Sequence, residues 1–310
     1  MIPVAIIGAG VAGLACARKL AQAGVLSVVF DKGRDIGGRV ATRRVDGLQF
    51  DHGAQYVTAK GDSFAAMLRG FAATGDVGNW DDGTGRPRIV GFPGMSGLAR
   101  AMAAGLDIRQ NAHVHSVVPA ECGWFLRIGD TALHAARVVI TVPAPQVAGL
   151  LGTDHPMVGM LGHVRLDPCL TLMAAVHGPA PFVTRTEPDD SLAWIAQDSS
   201  KPGRLVADAV AWVAQAGLGF SAAHLEKDPA EIAALMLPLL CDRLGVSTDA
   251  VQYATAHRWR YARVAEPLGK PFLCHQDATL YLGGDWCIGP RVEAAWTSGT
   301  AIADDLLAQP

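Results

Sequence analysis

Hydrophobic positions change their spacing several times along the chain, and each change predicts an element. Val4-Ala5-Ile6-Ile7 is a short apolar run of buried-strand type, after which Val11, Leu14, Ala15 and Leu20 recur at helical spacing until Gly24. A second β-branched run at 26–30 ends on Asp31, so the chain opens as the βαβ start of a parallel sheet. From 46 to 95 the sequence is turn-rich, with one predicted helix carried by Phe64, Met67, Leu68 and Phe71. A helix over 95–104, short strands to Val118, a meander through 124–128 and an apolar strand at 137–142 follow; Pro143 and Pro145 stop the last.

Between about 151 and 271 the texture differs. Alternating runs at 169–177, 192–197, 205–213 and 252–262 predict a mostly antiparallel sheet. One helix there is well delimited, by Asp228 as N-cap, Pro229 at the first helical position, Glu231 three past the cap and Gly245 beyond the end. The C-terminal stretch returns to the opening pattern, with a strand at 280–282, a glycine turn and a helix over about 292–307.

Composition narrows the class. A chain of 310 residues suggests about two domains at ~150 residues each. With 50% hydrophobic and 18% charged residues it is neither a disordered polar chain, a coiled coil nor a small disulfide scaffold. A net charge of −3 without a basic block argues against nucleic acid as a partner. Arg18 and Lys19 follow the first apolar run instead of preceding it, the reverse of a secretory signal. No uncharged apolar stretch is fit to span a bilayer, and the six cysteines are scattered with no C-x-x-C pair. The expectation is a cytoplasmic protein with no membrane contact. The 35 glycines are in excess, and glycine in excess calls for turns or for places where the backbone approaches something closely.

Three glycine clusters carry chemistry. Gly8-Ala9-Gly10-Val11-Ala12-Gly13 fits G-x-G-x-x-G between a strand and a helix, where the helix N-terminus can take a pyrophosphate. Asp31, with Lys32 beside it, ends the second strand, where a carboxylate can bind both ribose hydroxyls of an adenosine and repel a 2′-phosphate. Gly37-Gly38-Arg39 with Thr42 lets a guanidinium fold back on the pyrophosphate and a ring edge. Gly283-Gly284-Asp285, between the last strand and the helix opening near Arg291-Val292, suits the polyol chain and the N1–C2 edge of a flavin. Together they point to FAD.

With these clusters, the segments 50–56 (FDHGAQY), 91–96 (GFPGMS), 139–146 (VITVPAPQ), 200–204 (SKPGR), 257–262 (HRWRYA), 284–287 (GDWC) and 289–296 (GPRVEAAW) resemble the bacterial renalases, of the flavin monoamine-oxidase superfamily, over nearly the whole chain. The resemblance implies a p-hydroxybenzoate-hydroxylase-like fold with non-covalent FAD. It also implies oxidation of the 2- and 6-dihydro isomers of NAD(P)H to NAD(P)+, with O2 reoxidising the flavin to give hydrogen peroxide. By position, Val114 would contact the adenine through its backbone, Gly53, Ala54, Gln55 and Tyr56 would line the flavin, and Arg291, Val292 and Ala295 would lie at its pyrimidine end. The fold class expected is α/β: a Rossmann-like FAD-binding domain (1–56, 94–150 and 272–310) interleaved with a mostly antiparallel α+β substrate domain (57–93 and 151–271).

The chain departs from that family in having fewer residues between Trp80 and Arg88, Leu170 where an aromatic is usual and Phe220-Ser221 in place of Trp-Ser, while Gln215 stands where the family shows His or Gln. Leu170, Gln215 and Phe220 are therefore substrate-pocket candidates, with His257, Trp259 and Tyr261, which alternate onto one strand face while Arg258 and Arg260 take the other. That face either lines the pocket or is an aromatic core strand with salt-bridged arginines. Hydride transfer to a flavin needs alignment more than a base, so no general base is assigned. An amine oxidase of the superfamily would present a lysine near flavin N5; the pattern places neither Lys201 nor Lys270 there. An oxidase for an amine or another small substrate, and a flavin-binding module without turnover, stay open. The turn at 81–85 reads as solvated and not as a calcium loop, His113-x-His115 lacks a third metal ligand, and Cys287 reads as a packed thiol, so no metal is expected.

Overall fold

The computed structural model describes residues 1–205 and 207–309. The opening pattern forms β1 (Ile2–Ile7), α1 (Val11–Gln22) and β2 (Ser27–Phe30), with β1 and β2 parallel from Val4↔Ser27 to Ile7↔Phe30. A hairpin, β3 (Thr42–Val45) and β4 (Leu48–Asp51), precedes α2 (Asp62–Ala73). A second, β5 (Val77–Asn79) and β6 (Ile89–Gly91), leads into α3 (Ser96–Ala103). Then come β7 (Asp107–Arg109), β8 (Val114–Pro119), β9 (Trp124–Ile128), β10 (Thr131–Ile140), α4 (Ala144–Leu151) and α5 (Pro156–Gly159).

The middle section supplies β11 (Arg165–Val176), β12 (Thr184–Thr186), β13 (Trp194–Gln197), β14 (Val210–Gln215), α6 (Leu218–Ala223), α7 (Pro229–Leu244) and β15 (Val251–Glu266). The strand expected at 205–213 therefore begins later and ends at Gln215; Val206, within that stretch, lies outside the described residues. The chain closes with β16 (Leu273–Cys274), β17 (Leu280–Leu282) and α8 (Val292–Ala308).

Two sheets organise these elements. The first runs β16-β17-β10-β1-β2-β7, parallel from β17 to β7, with β9 and β8 added on the first half of β10. Its central strands are apolar on both faces because both are covered. Val4 and Ile6 of β1 pack with Leu14, Val29, Val139 and Ile302, whereas Ala5 and Ile7 pack with Phe30, Val138, Ile140, Leu282 and Trp286. Phe64, Leu68, Phe71, Val77 and Trp80 join the core on the α1 side.

The second sheet, β12-β13-β14-β11-β15, is antiparallel throughout. Alternation sorts β11. Leu170, Leu172, Ala174 and Val176 face α7 through Ile232, Met236 and Leu240, while Met173 and Ala175 face the β3–β4 hairpin through Leu48 and Phe50. Helix α7 starts on the expected capping box, with both reciprocal bonds between Asp228 and Glu231, and ends at Gly245 in the left-handed region. Among the described residues no helix is long and apolar enough to cross a membrane.

Candidate active site

The glycine clusters meet at the C-terminal ends of β1 and β2. Gly8 turns the chain at φ +108°, and a Cβ on Gly13 would lie 2.0 Å from the Gly8 carbonyl oxygen, so helix and strand touch there only without side chains. The Gly37 N–H donates to the Ala9 carbonyl (2.8 Å), bringing the second cluster against the first. Asp31 spans both: one carboxylate oxygen accepts from Ala9 N (2.6 Å), the other from Gly33 N (2.7 Å). Lys32 is exposed, and Val114, at the start of β8, is buried.

This cradle fits a dinucleotide phosphate. A Cβ on Gly10 would meet nothing within 4 Å, so there is room above the backbone. The first turn of α1 has neither a side-chain cap nor an acidic residue, leaving Val11 and Ala12, both buried, with donors facing that room.

Arg39 joins the second glycine cluster to the third. Its guanidinium donates to Asp285 (2.6 Å) and to the Ala262 carbonyl (3.2 Å), tying the third glycine cluster to β15. Thr42 likewise serves the protein, donating to Asp51 (2.7 Å) and accepting from Ser96 N (3.0 Å). Gly284 donates its N–H to Ser298 (2.9 Å); of the α8 opening, Arg291 is exposed and Val292 and Ala295 are half-buried. Cys287 is fully buried and burial pushes its thiol up to about 12, so it is a packed, inert thiol.

Between the two sheets runs 52–56, fixed from three sides. Gln215 donates to the Gly53 carbonyl (2.8 Å), the Trp259 indole donates to the His52 carbonyl (2.7 Å), and Lys201 donates to Gln55 Oε1 (2.9 Å). Tyr56 lies under the Arg88 guanidinium (3.9 Å to the ring centroid), itself paired with Asp82 (2.7 Å). The 81–85 turn is closed by its own aspartates, through Gly83 N to Asp81 (3.0 Å) and Thr84 N to Asp82 (2.9 Å).

Register explains which pocket candidates converge. Gln215, Thr171 and His257 lie opposite one another across β14, β11 and β15, with Trp259 one row further. Leu170 is one residue out of phase and packs with α7, where Phe220 also sits beside His224, so these two candidates lie behind the sheet and not on the site face. Tyr261 falls in the register shift between the pairs Asp167↔Arg263 and Cys169↔Trp259, so alternation no longer sets its direction. Arg258 donates to the Leu225 carbonyl (2.7 Å) and Arg260 grips both oxygens of Glu226 (2.7 and 2.8 Å), so the arginines anchor the α6–α7 connection.

Two features escaped sequence reasoning. One is a fully buried charge cluster: Lys201 bonds Asp198 (2.6 Å) and Asp51 (3.2 Å), and Arg204 pairs with Asp51 and donates to the Gly91, Pro93 and Pro202 carbonyls. Burial pushes the Asp51 carboxyl up, but Lys201 and Arg204 outweigh it and hold it below the usual range; burial leaves Asp198 raised. The other is His52, which joins His257 and Trp259 in a ring cluster with centroids 4.2–5.3 Å apart. Burial, helped by His257 and Arg43, pushes His52 down to about 3; burial and Arg43 bring His257 to about 4. Both are neutral imidazoles at physiological pH. The His113 and His115 ring centroids sit 4.3 Å apart where β8 begins, and among the described residues no group of three metal-ligating side chains forms.

Comparison with known proteins agrees with this geometry. A family profile described as NAD(P)-binding Rossmann-like domain matches residues 6–71, and one described as flavin containing amine oxidoreductase matches 76–307, three quarters of the chain. The 4,4'-diapophytoene desaturase (4,4'-diaponeurosporene-forming) of Staphylococcus haemolyticus is 43% identical over 54 residues, a match spanning 17% of this chain and 11% of that relative. Among solved structures, a candidate protoporphyrinogen oxidase from Exiguobacterium sp. 255-15 shares the fold over 99% of both chains, with TM-score 0.79 and 14% identity. Wild-type putrescine oxidase bound to putrescine shares it over 99% of both chains, with TM-score 0.70 and 16% identity.

Proposed function

The chain belongs to the flavin containing amine oxidoreductase family and is an FAD-dependent oxidoreductase, and on that premise we propose that it oxidises the 2- and 6-dihydro isomers of NAD(P)H to NAD(P)+. FAD, when bound, accepts the hydride with its electron pair and passes both electrons to O2, which with two protons leaves as hydrogen peroxide. The Gly8–Gly13 backbone and the first turn of α1 would hold the pyrophosphate, Asp31 the adenosine ribose, and the Val114 backbone the adenine. Gly37, Gly38, Arg39 and Thr42 would lie along the phosphates and ring edge. Gly284, Asp285, Arg291, Val292 and Ala295 would meet the flavin end, with Gly53–Tyr56 beside the ring, and the cofactor is held non-covalently. We take 1–56, 94–150 and 272–310 as the cofactor domain and 57–93 and 151–271 as the substrate domain.

The observation that carries this reading is the uncharged polar face formed by Gln215, Thr171 and the neutral rings of His52 and His257, set directly against Gly53. Such a face suits a neutral dihydropyridine ring carrying a polar substituent. Trp259 and Gln215 hold the His52 and Gly53 carbonyls and so fix the segment that orients substrate against cofactor. A dihydropyridine gives up hydride without prior loss of a proton, so the reaction asks no base of the two neutral histidines. An amine is the second reading, favoured by Lys201 lying buried beside Gln55. Aerobic incubation of the holoenzyme with each dihydro isomer tests the proposal. NAD(P)+ and hydrogen peroxide should appear in equal amounts; aldehyde and ammonia from amines, with no turnover of either isomer, would replace it with the second reading.

A further inference from the structure

The β3–β4 hairpin lies flat on the second sheet, with Phe50 stacked on Tyr253 of β15 (5.8 Å) and buried against Met173, Ala175 and Val213. Arg43 is directly opposite Phe50 in the hairpin register, and cross-strand partners share a face, so Arg43 lies on the sheet-facing side beside edge strand β15. Its positive charge reaches both His52 and His257. Arg39, Arg88, Arg204, Arg258 and Arg260 each hold a carboxylate, whereas among the described residues none pairs with Arg43, which is only partly exposed.

A second polar group there is also unpartnered. His52 is 7% exposed, and among the described residues its buried Nδ1 has no hydrogen-bond partner. The nearest carboxylate, Asp51, is already engaged by Thr42, the Met95 N–H, Lys201 and Arg204. The ring cluster thus sits beside a guanidinium charge with, among the described residues, no free carboxylate to offset it. A cationic amine entering here would meet like charge; an anion would meet a guanidinium with donors to spare.

We infer that Arg43 is a specificity-determining residue that holds an anionic group of the substrate, a phosphate or a carboxylate, while the rest of the substrate packs on the His52–His257–Trp259 rings. This rests on the proposal that the Gln215–Thr171–His257 face receives the substrate, and it adds the residue that holds the substrate's anionic group.

Titration of the oxidised holoenzyme, followed by the perturbation of its flavin spectrum, tests it with two matched pairs: nicotinamide mononucleotide against nicotinamide riboside, and benzoate against benzamide. In the wild type at least one anion-bearing member should bind roughly 10- to 100-fold more tightly than its partner without the anionic group, the cationic riboside or the neutral benzamide. Arg43→Gln should abolish that preference, Arg43→Lys should keep part of it, and added salt should weaken it. Equal binding within both pairs, or a preference that survives in Arg43→Gln, overturns the inference. A preference for benzoate alone that depends on Arg43 supports it while counting against a nucleotide substrate. The thermal midpoint of each variant, measured with FAD in excess, identifies any that fails to fold, and Arg43→Lys then carries the test.

Discussion

Lys201→Met should destabilise the protein far more than a lysine-to-methionine change on a surface would. The ammonium is fully buried, 2.6 Å from Asp198, 2.9 Å from Gln55 and 3.2 Å from Asp51. With Arg204, the cluster holds two carboxylates and two cations and is electrically balanced. Methionine fills a similar volume but leaves two buried carboxylates facing one guanidinium. Breaking a buried pair by removing one partner costs about 3–5 kcal/mol, which at roughly 2–4 °C per kcal/mol lowers the thermal midpoint by about 10 °C. The deficit should be larger at pH 8 than at pH 5, because the raised Asp198 carboxyl is protonated first as pH falls and that relieves the uncompensated charge. Adding Asp198→Asn restores the balance, so the double variant should be more stable than Lys201→Met alone. Urea unfolding of the holoprotein in saturating FAD measures all three. A single variant within 1 kcal/mol of wild type, or a double variant worse than the single, would refute the reasoning.

Other expectations follow from the same geometry. Asp31→Ala should weaken FAD retention by about 1–3 kcal/mol, measured by equilibrium dialysis, and unchanged retention would remove Asp31 from the ribose role. Gly299→Ala should loosen the α1–α8 contact, since a Cβ there would lie 1.9 Å from the Ala12 carbonyl oxygen; a loss of about 1–3 kcal/mol is expected in chemical denaturation, and a neutral outcome contradicts the packing. His52 sits near 3 in the folded protein against ~6.5 unfolded, so the unfolded chain takes up the proton first. Its contribution is complete above ~6.5 and falls by about 2 kcal/mol by pH 5. His52→Gln should flatten the stability–pH curve over that window, and an unchanged slope would show that His52 titrates normally.

Much of the fold was legible because its signals are local. The turn at Gly8, the close approach at Gly13, the Asp228 capping box and the continuous apolar runs of β1 and β10 each follow from a few neighbouring residues. The site was legible only where periodicity carried it: alternation put His257 and Trp259 on one strand face, whereas Leu170, chosen because it departs from the resembled family, lies on the opposite parity of β11 from Thr171, which pairs with His257. Asp51, Asp198, Lys201 and Arg204 were hidden because their charges neutralise one another across as many as 153 positions of sequence, and no local pattern records that. Arg39 shows the same limit, its partner Asp285 lying 246 positions away.

The central claim is that this flavoenzyme takes hydride from dihydropyridine nucleotides, and anaerobic rapid mixing tests it in a single half-reaction. The oxidised holoenzyme should lose its yellow absorbance promptly with the 2- and 6-dihydro isomers of NADH and NADPH, and keep it with putrescine and other primary amines. Rapid bleaching by an amine, with the flavin left oxidised by both isomers, would contradict the account.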